Sequence, residues 1–150
     1  VGGVGMTEYK HILMAVDFTP EAKLITRKGR ELAALFGAKT SLVHAVEYSS
    51  AMYPVENPLP EELDPSQRLL ERAKIDLKEL ALTHGLSTAK RFVELGIAKQ
   101  EIVRLAKDEG VDLIVIGSHG RHGLQLLLGS TANGVLHLAD CDVLAVRVGL

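Results

Sequence analysis

At 150 residues the chain is long enough for one domain with a substantial core, and its 47% hydrophobic and 24% charged residues exclude an intrinsically disordered protein. A formal net charge of −2 supplies no basic field for nucleic acid, so any recognition of phosphate has to be local. The single Cys141 excludes an internal disulfide framework and a cysteine-built metal site. No apolar run approaches the ~18 residues of a membrane span, and a cytoplasmic protein with no membrane or nucleic-acid partner is expected.

Val1–Gly5 precede the first methionine and read as an expression remnant or the trace of an upstream start, which leaves one domain over residues 6–150. The first strand is expected at His11–Val16, a short apolar run of the kind buried on both faces of a parallel sheet. Thr19-Pro20-Glu21 then supplies a hydroxyl cap, a proline at the first helical position and an acid at the positive helix end. Leu24, Leu32, Ala33, Leu35 and Phe36 are read as the inward stripe of that helix, and Gly37 as its left-handed stop.

A second strand follows at Thr40–Val46. The Pro-containing stretch Glu47–Leu63 reads as a surface excursion before a helix that opens at Asp64-Pro65-Ser66-Gln67 and ends near Gly85. Thr88–Glu94 carries Lys90 and Arg91 and suits an edge strand, where side chains reach water. A third helix over Ile97–Glu109 turns Ile102, Leu105 and Ala106 inward. Leu113–Ile116 and Val143–Val148 are two further apolar strands, with a helix between them from Gly129-Ser130-Thr131 to just before Asp140.

Alternation of strand and helix implies right-handed crossovers and a doubly wound α/β sheet of five parallel strands. Strand orders 3-2-1-4-5 and 2-1-3-4-5 compete. Ligands of such sheets sit beyond the carboxyl ends of the strands where the winding reverses. Only the first order brings Asp17 and Gly117 to one crevice, and the glycines that follow the fourth strand favour it.

Those glycines form the informative stretch: Gly117-Ser118-His119-Gly120-Arg121-His122-Gly123, then Gly129-Ser130-Thr131. Gly117 and Gly120 allow a sharp turn and a close backbone approach to a ligand. Gly129-Ser130-Thr131 opens a helix whose free N–H groups and dipole attract phosphate, and Arg121 adds a fixed positive charge. The same glycines would also serve a plain chain reversal, and Ser-Thr a plain helix cap.

The residues resemble a known family. Tyr9 to Asp17 followed by Thr19-Pro20-Glu21 is similar to the opening of universal stress proteins. Leu42–Val46 resembles their second strand and Asp112–Gly120 their fourth; Gly129–Asn133 and Cys141–Val146 complete the match. The resemblance implies strand order 3-2-1-4-5 in an adenine nucleotide alpha hydrolase-like fold, a homodimer, and in one branch ATP held by Gly, two residues, Gly, nine residues, Gly, then Ser or Thr. Here eight residues, 121 to 128, separate Gly120 from Gly129.

By position the resemblance implies that Ala15, Val16 and Asp17 border adenine and ribose, with Ala45 near adenine and Ile116 near the ribose. Gly117, Ser118, His119, Gly120 and Arg121, with Gly129, Ser130 and Thr131, form the phosphate side. Magnesium would arrive bound through the nucleotide. Asp17 alternatively caps the turn that follows it. His44 reads as a hydrogen-bonded core residue, His137 as helix surface and Cys141 as buried rather than reactive. His119, Arg121 and His122 are expected exposed at the mouth, and no metal site is expected because the two histidines lack further ligands.

No constellation fixes a base beside a nucleophile, so no catalytic residue is assigned and any ATP hydrolysis is expected to be slow. Three readings stand: a stress-response protein with ATP as regulatory ligand and an unknown downstream protein partner, a homodimeric interaction module with an empty loop, and a slow ATPase or autophosphorylating protein. The homodimer is expected through Val143–Val148, an apolar strand at a sheet edge.

Overall fold

The computed structural model describes residues 8–48, 65–119 and 128–148. Its elements are β1 (His11–Ala15), α1 (Ala22–Phe36), β2 (Lys39–Val46), α2 (Pro65–Thr83), β3 (Lys90–Leu95), α3 (Ala98–Asp108), β4 (Leu113–Gly117), α4 (Ser130–Leu138) and β5 (Asp142–Val146). All four pairings are parallel, in the order β3-β2-β1-β4-β5. The order 3-2-1-4-5 expected from the sequence is the one observed, and β3 is an edge.

Alternation along the strands divides the core in two. Ile12, Met14, Leu42, Leu113 and Val115 face α1 and α2, where they meet Ile25, Leu77 and Ala81. Their neighbours Leu13, Ala15, Val43, Ile114 and Ile116 face α3 and α4, against Ile102, Leu105, Ala132 and Val135. Side chains two residues apart share a face of a strand, so continuous apolar runs were needed to fill both layers. Each fully buried Ile, Leu or Met contributes about 1.5–3 kcal/mol, whereas an exposed ion pair such as Lys28–Glu31 contributes about 0–1 kcal/mol. The core therefore holds the fold.

Two details of α1 differ from the sequence reading. Thr19 does not cap the helix: its hydroxyl donates to Asp17 Oδ1 at 2.5 Å, and helix entry at Glu21 has no side-chain cap. The inward stripe runs through Ala22, Ile25, Thr26 and Gly29, which leaves Leu35 74% exposed. At about 100° per residue, Leu35 lies well round the helix from the stripe continued by Leu32 and Ala33. Gly37 ends the helix at φ 65°, as expected, and its N–H donates to the Ala33 carbonyl.

Polar bonds tie the start of the sheet. The Asp112 carboxylate, just before β4, accepts the N–H of Lys10 at 2.9 and 3.1 Å and that of His11 at 3.0 Å. His11 is 3% exposed; its Nδ1–H donates to the Glu109 carbonyl at 3.2 Å, and Ser41 Oγ, 1% exposed, donates to Nε2 at 2.7 Å. A serine and a histidine so paired have the contacts of a nucleophile and base, yet both are sealed from substrate and serve the sheet.

Burial of His11, reinforced by the Lys39 charge, holds its pKa below 6.5 despite the opposing Glu109 and Asp112. The unfolded chain therefore takes up a proton first, and stability present above pH ~6.5 is expected to decline as the pH falls toward the folded pKa. Urea titrations between pH 8 and 5 should show this decline, and His11→Asn should reduce it. A second expectation concerns Gly29, where an added Cβ would stand 2.3 Å from Met14 Sδ in the closed core. Gly29→Val should lower stability by about 1–3 kcal/mol, with Met14→Ala in the same chain recovering part of the loss.

Candidate functional site

β1 and β4 are neighbours whose chains leave toward opposite faces of the sheet, α1 on one and α4 on the other. Their carboxyl ends therefore part, and a cleft of about 130 Å³ opens there. Small and apolar side chains line it: Ala15 from β1, Val43 and Ala45 from β2, Ile102 from α3, Ile116 from β4 and Ala132 from α4. Asp17, Thr19, Glu21, His44, His119 and Thr131 add the polar groups. Apolar walls with a few directed polar groups suit a flat heterocycle carrying a polar tail.

Asp17 is half-buried, and Oδ1 accepts the Thr19 N–H at 3.2 Å as well as its hydroxyl. The turn-capping role considered for Asp17 is thus present, and it leaves Oδ2 for another donor. A hydrogen bond from Thr19, with a backbone bond, holds the Glu21 carboxyl below its usual pKa. His44 Nδ1–H donates to the Val16 carbonyl at 2.8 Å, which fixes the ring at the cleft beneath Phe18, the two centroids 4.2 Å apart.

Gly117 carries no strained backbone; an added Cβ would stand 3.2 Å from Ile25 Cδ1, a close contact, and 3.4 Å from Val148 Cγ2, an ordinary one. Ser118 is buried outside the cleft lining. Its N–H donates to the Val146 carbonyl at 2.7 Å, and its Oγ accepts from the Val148 N–H at 3.3 Å. The same hydroxyl lies within hydrogen-bond distance of His119 Nδ1, at 3.1 Å. The other ring nitrogen, Nε2, is buried and has no hydrogen-bond partner among the described residues. His119 is half-buried rather than exposed as the sequence suggested.

α4 opens at Gly129 with no side-chain cap, and the Gly129 N–H donates to the Ser118 carbonyl at 2.6 Å, tying the helix start to the end of β4. The N–H groups of Ser130, Thr131 and Ala132 have no hydrogen-bond acceptor among the described residues. Gly120, Arg121 and His122 lie outside the described residues. Of the residues singled out by sequence, the structure brings Ala15, Val16, Asp17, Ala45, Ile116, Gly117, His119 and Thr131 to one cleft. Gly129 and Ser130 stand beside it at the helix start. Sequence reading missed Val43, His44, Ala98 and Ile102; only the inward helical spacing of Ile102 hinted at the α3 wall.

The residues fit an adenine nucleotide in kind: an apolar slot and, unpartnered among the described residues, a carboxylate oxygen at Asp17, a buried ring nitrogen at His119 and the first amides of α4. No group of three or more potential metal ligands occurs among the described residues. Cys141 is half-buried, and desolvation with the nearby Asp142 charge pushes its thiol pKa up, against reactivity.

A doubly wound α/β domain with a cleft at its switch point is the class these observations define. The chain belongs to the universal stress protein family, whose profile matches residues 8–147. It is 46% identical over 144 residues to universal stress protein A homolog 2 of Coxiella burnetii, covering 95% of this chain and 98% of that one. Among solved structures, MJ0577 of Methanocaldococcus jannaschii superposes with a TM-score of 0.79 at 29% identity, over 96% of this chain and 99% of the other. A universal stress protein in complex with cAMP shares the fold, with a TM-score of 0.60 at 20% identity over 93% and 98% of the two chains.

Proposed function

We propose that this universal stress protein takes an adenine nucleotide, ATP foremost, as a regulatory ligand in the cleft between β1 and β4. The carrying observation is His119 Nε2, a buried ring nitrogen without a hydrogen-bond partner among the described residues, on a residue that lines the cleft. An unpaired buried polar group costs about 1–3 kcal/mol, a cost that a polar group of a ligand removes. The uncapped start of α4 supports the same reading, since its amides and dipole favour the phosphates, and a family member in complex with cAMP carries an adenine nucleotide on this fold.

In this reading Ala15, Val43, Ala45 and Ile102 exclude water around the base, Asp17 accepts from a ribose hydroxyl, and the Ser130 and Thr131 amides with Gly117, Gly120 and Arg121 hold the phosphates. Magnesium would come bound through the nucleotide and neutralise part of its charge. Nothing among the described residues sets a base against Ser130, which favours a held ligand over rapid turnover.

Calorimetry with ATP and magnesium is expected to show saturable binding. Ala45→Trp, which fills the slot, should weaken it at least about tenfold while leaving circular dichroism and the melting temperature in place. Absence of heat with wild-type protein at about 1 mM ATP would leave the empty interaction module as the better reading.

A homodimer through β5 accompanies this proposal. β5 ends the sheet, and Val143–Val146 are only half-buried in one chain. Since the Val146 carbonyl accepts from Ser118 within the sheet, Val143 and Ala145 are the residues that turn N–H and C=O outward. Ala145→Pro should therefore give monomer in sedimentation equilibrium with the fold intact, whereas Val146→Pro would break the ladder to β4. Wild-type protein that sediments as monomer at tens of micromolar would end the dimer proposal.

A further inference from the structure

The opposite edge of the sheet has different chemistry. Between α2 and β3 lies an open groove of about 560 Å³. Its floor is apolar, with Ile75 52% exposed and Val93 half-buried, and its rim carries Lys74, Lys78, Lys90 and Arg91. Lys74 pairs with Glu71 at 3.4 Å and Lys90 with Glu109 at 3.1 Å. Lys78 and Arg91 form no ion pair with any described residue. A chain of net charge −2 thus concentrates cations, two of them uncompensated, around exposed aliphatic surface.

Among the described residues, no further strand pairs with the outer edge of β3. The Gly96 N–H donates to the Val46 carbonyl at 3.0 Å, one bond of the β2–β3 ladder in which Leu95 stands opposite Val46. In a parallel ladder the N–H and C=O of successive residues turn to opposite sides, so Glu94 and Phe92 face β2 while Arg91, Val93 and Leu95 face outward. By the same alternation Arg91, Val93 and Leu95 share a side-chain face with α2, on which Leu95 is 41% exposed. Phe92, by contrast, packs toward α3. Backbone donors, an aliphatic floor and free cations converge on one line.

We propose that this groove docks an extended acidic segment of another protein, added to β3 as a sixth strand that turns two acidic side chains, two residues apart, and then an aliphatic one toward α2. Lys74 and Lys78 are one helical turn apart, about 6 Å, close to the ~6.6 Å between side chains on one face of a strand. Acids two residues apart on the peptide therefore meet successive lysines. An aliphatic residue on that face would rest on Ile75 and Val93. Lysine and arginine on an edge also deter self-pairing, and the same charges that repel another copy of β3 attract an acidic strand.

The probe is a short fluorescein-labelled peptide with two glutamates followed by a valine on one face and threonine on the other, read by anisotropy. Wild-type protein is expected to bind it saturably below about 1 mM, and Lys78→Glu with Arg91→Glu to weaken it at least about tenfold. Ile75→Ser, at an exposed position, tests the floor and should also weaken binding if the charge-reversed protein fails to fold. N-methylation of the peptide amides that face β3 should abolish binding, and methylation of the alternate set should spare it. No binding at 1 mM, no effect of either protein variant, any other methylation pattern, or tighter binding of an oligothymidylate of equal charge would overturn the proposal. Saturation of the cleft with ATP is expected to leave peptide binding to β3 unchanged, so the two sites fail or succeed separately.

Discussion

β1 lies between β2 and β4 and is buried on both faces from His11 to Ala15, so its side chains and both of its edges are committed before any loop is considered. Chain leaving its carboxyl end passes to α1 on one face, while chain leaving β4 passes to α4 on the other. No backbone can close the space between two strands whose continuations diverge. The cleft follows from this winding, and small residues at Ala15, Ala45 and Ala132 keep it from being filled by its own walls. At the other end of the same strand the requirement is reversed: Asp112 gathers two successive N–H groups of the incoming chain, and His11 and Ser41 satisfy each other in the closed interior. One end of β1 is locked by polar bonds, and the other is left open to a ligand.

That division explains how Ser118 and His119 work together. Ser118 stands at the end of β4 and is spent entirely on the protein, joining the Val146 carbonyl, the Val148 amide and His119. The contact with Ser118 occupies His119 Nδ1 and leaves Nε2 as the ring nitrogen without a partner among the described residues.

Sequence reading was most reliable where burial dictates residue type. Strands covered by helices on both faces have to be apolar throughout, so β1, β2, β4 and β5 stood out, and the charges of Lys90 and Arg91 marked β3 as the edge. It failed where one polar group chooses among several partners. Thr19 had the form of a helix cap, but Asp17 two residues earlier offers a stronger, charged acceptor. Ser118 belonged to the glycine motif by position, yet the C-terminal chain claims its hydroxyl. The α3 wall of the cleft was legible only after packing, since Ala98 and Ile102 reach the site through the rotation of a helix and not through any motif.

The two edges show how one sheet separates different kinds of association. At β5 the strand is aliphatic from Val143 to Val146, and the only cation of the outward-turned residues, Arg147, lies just past its end. Like meeting like across a twofold axis costs nothing there, because no charge opposes its own copy. At β3 the outward row begins with Arg91 and is overlooked by Lys74 and Lys78, so a second copy would bring cations against cations in an apolar setting. The two edges thus differ in chemistry before shape is considered: β5 is aliphatic and β3 is cationic. Of the two strands that part at the cleft, β4 is hydrogen-bonded directly to the β5 edge, whereas β1 reaches the β3 edge only through one intervening strand, β2, so β5 is the edge coupled more closely to the cleft.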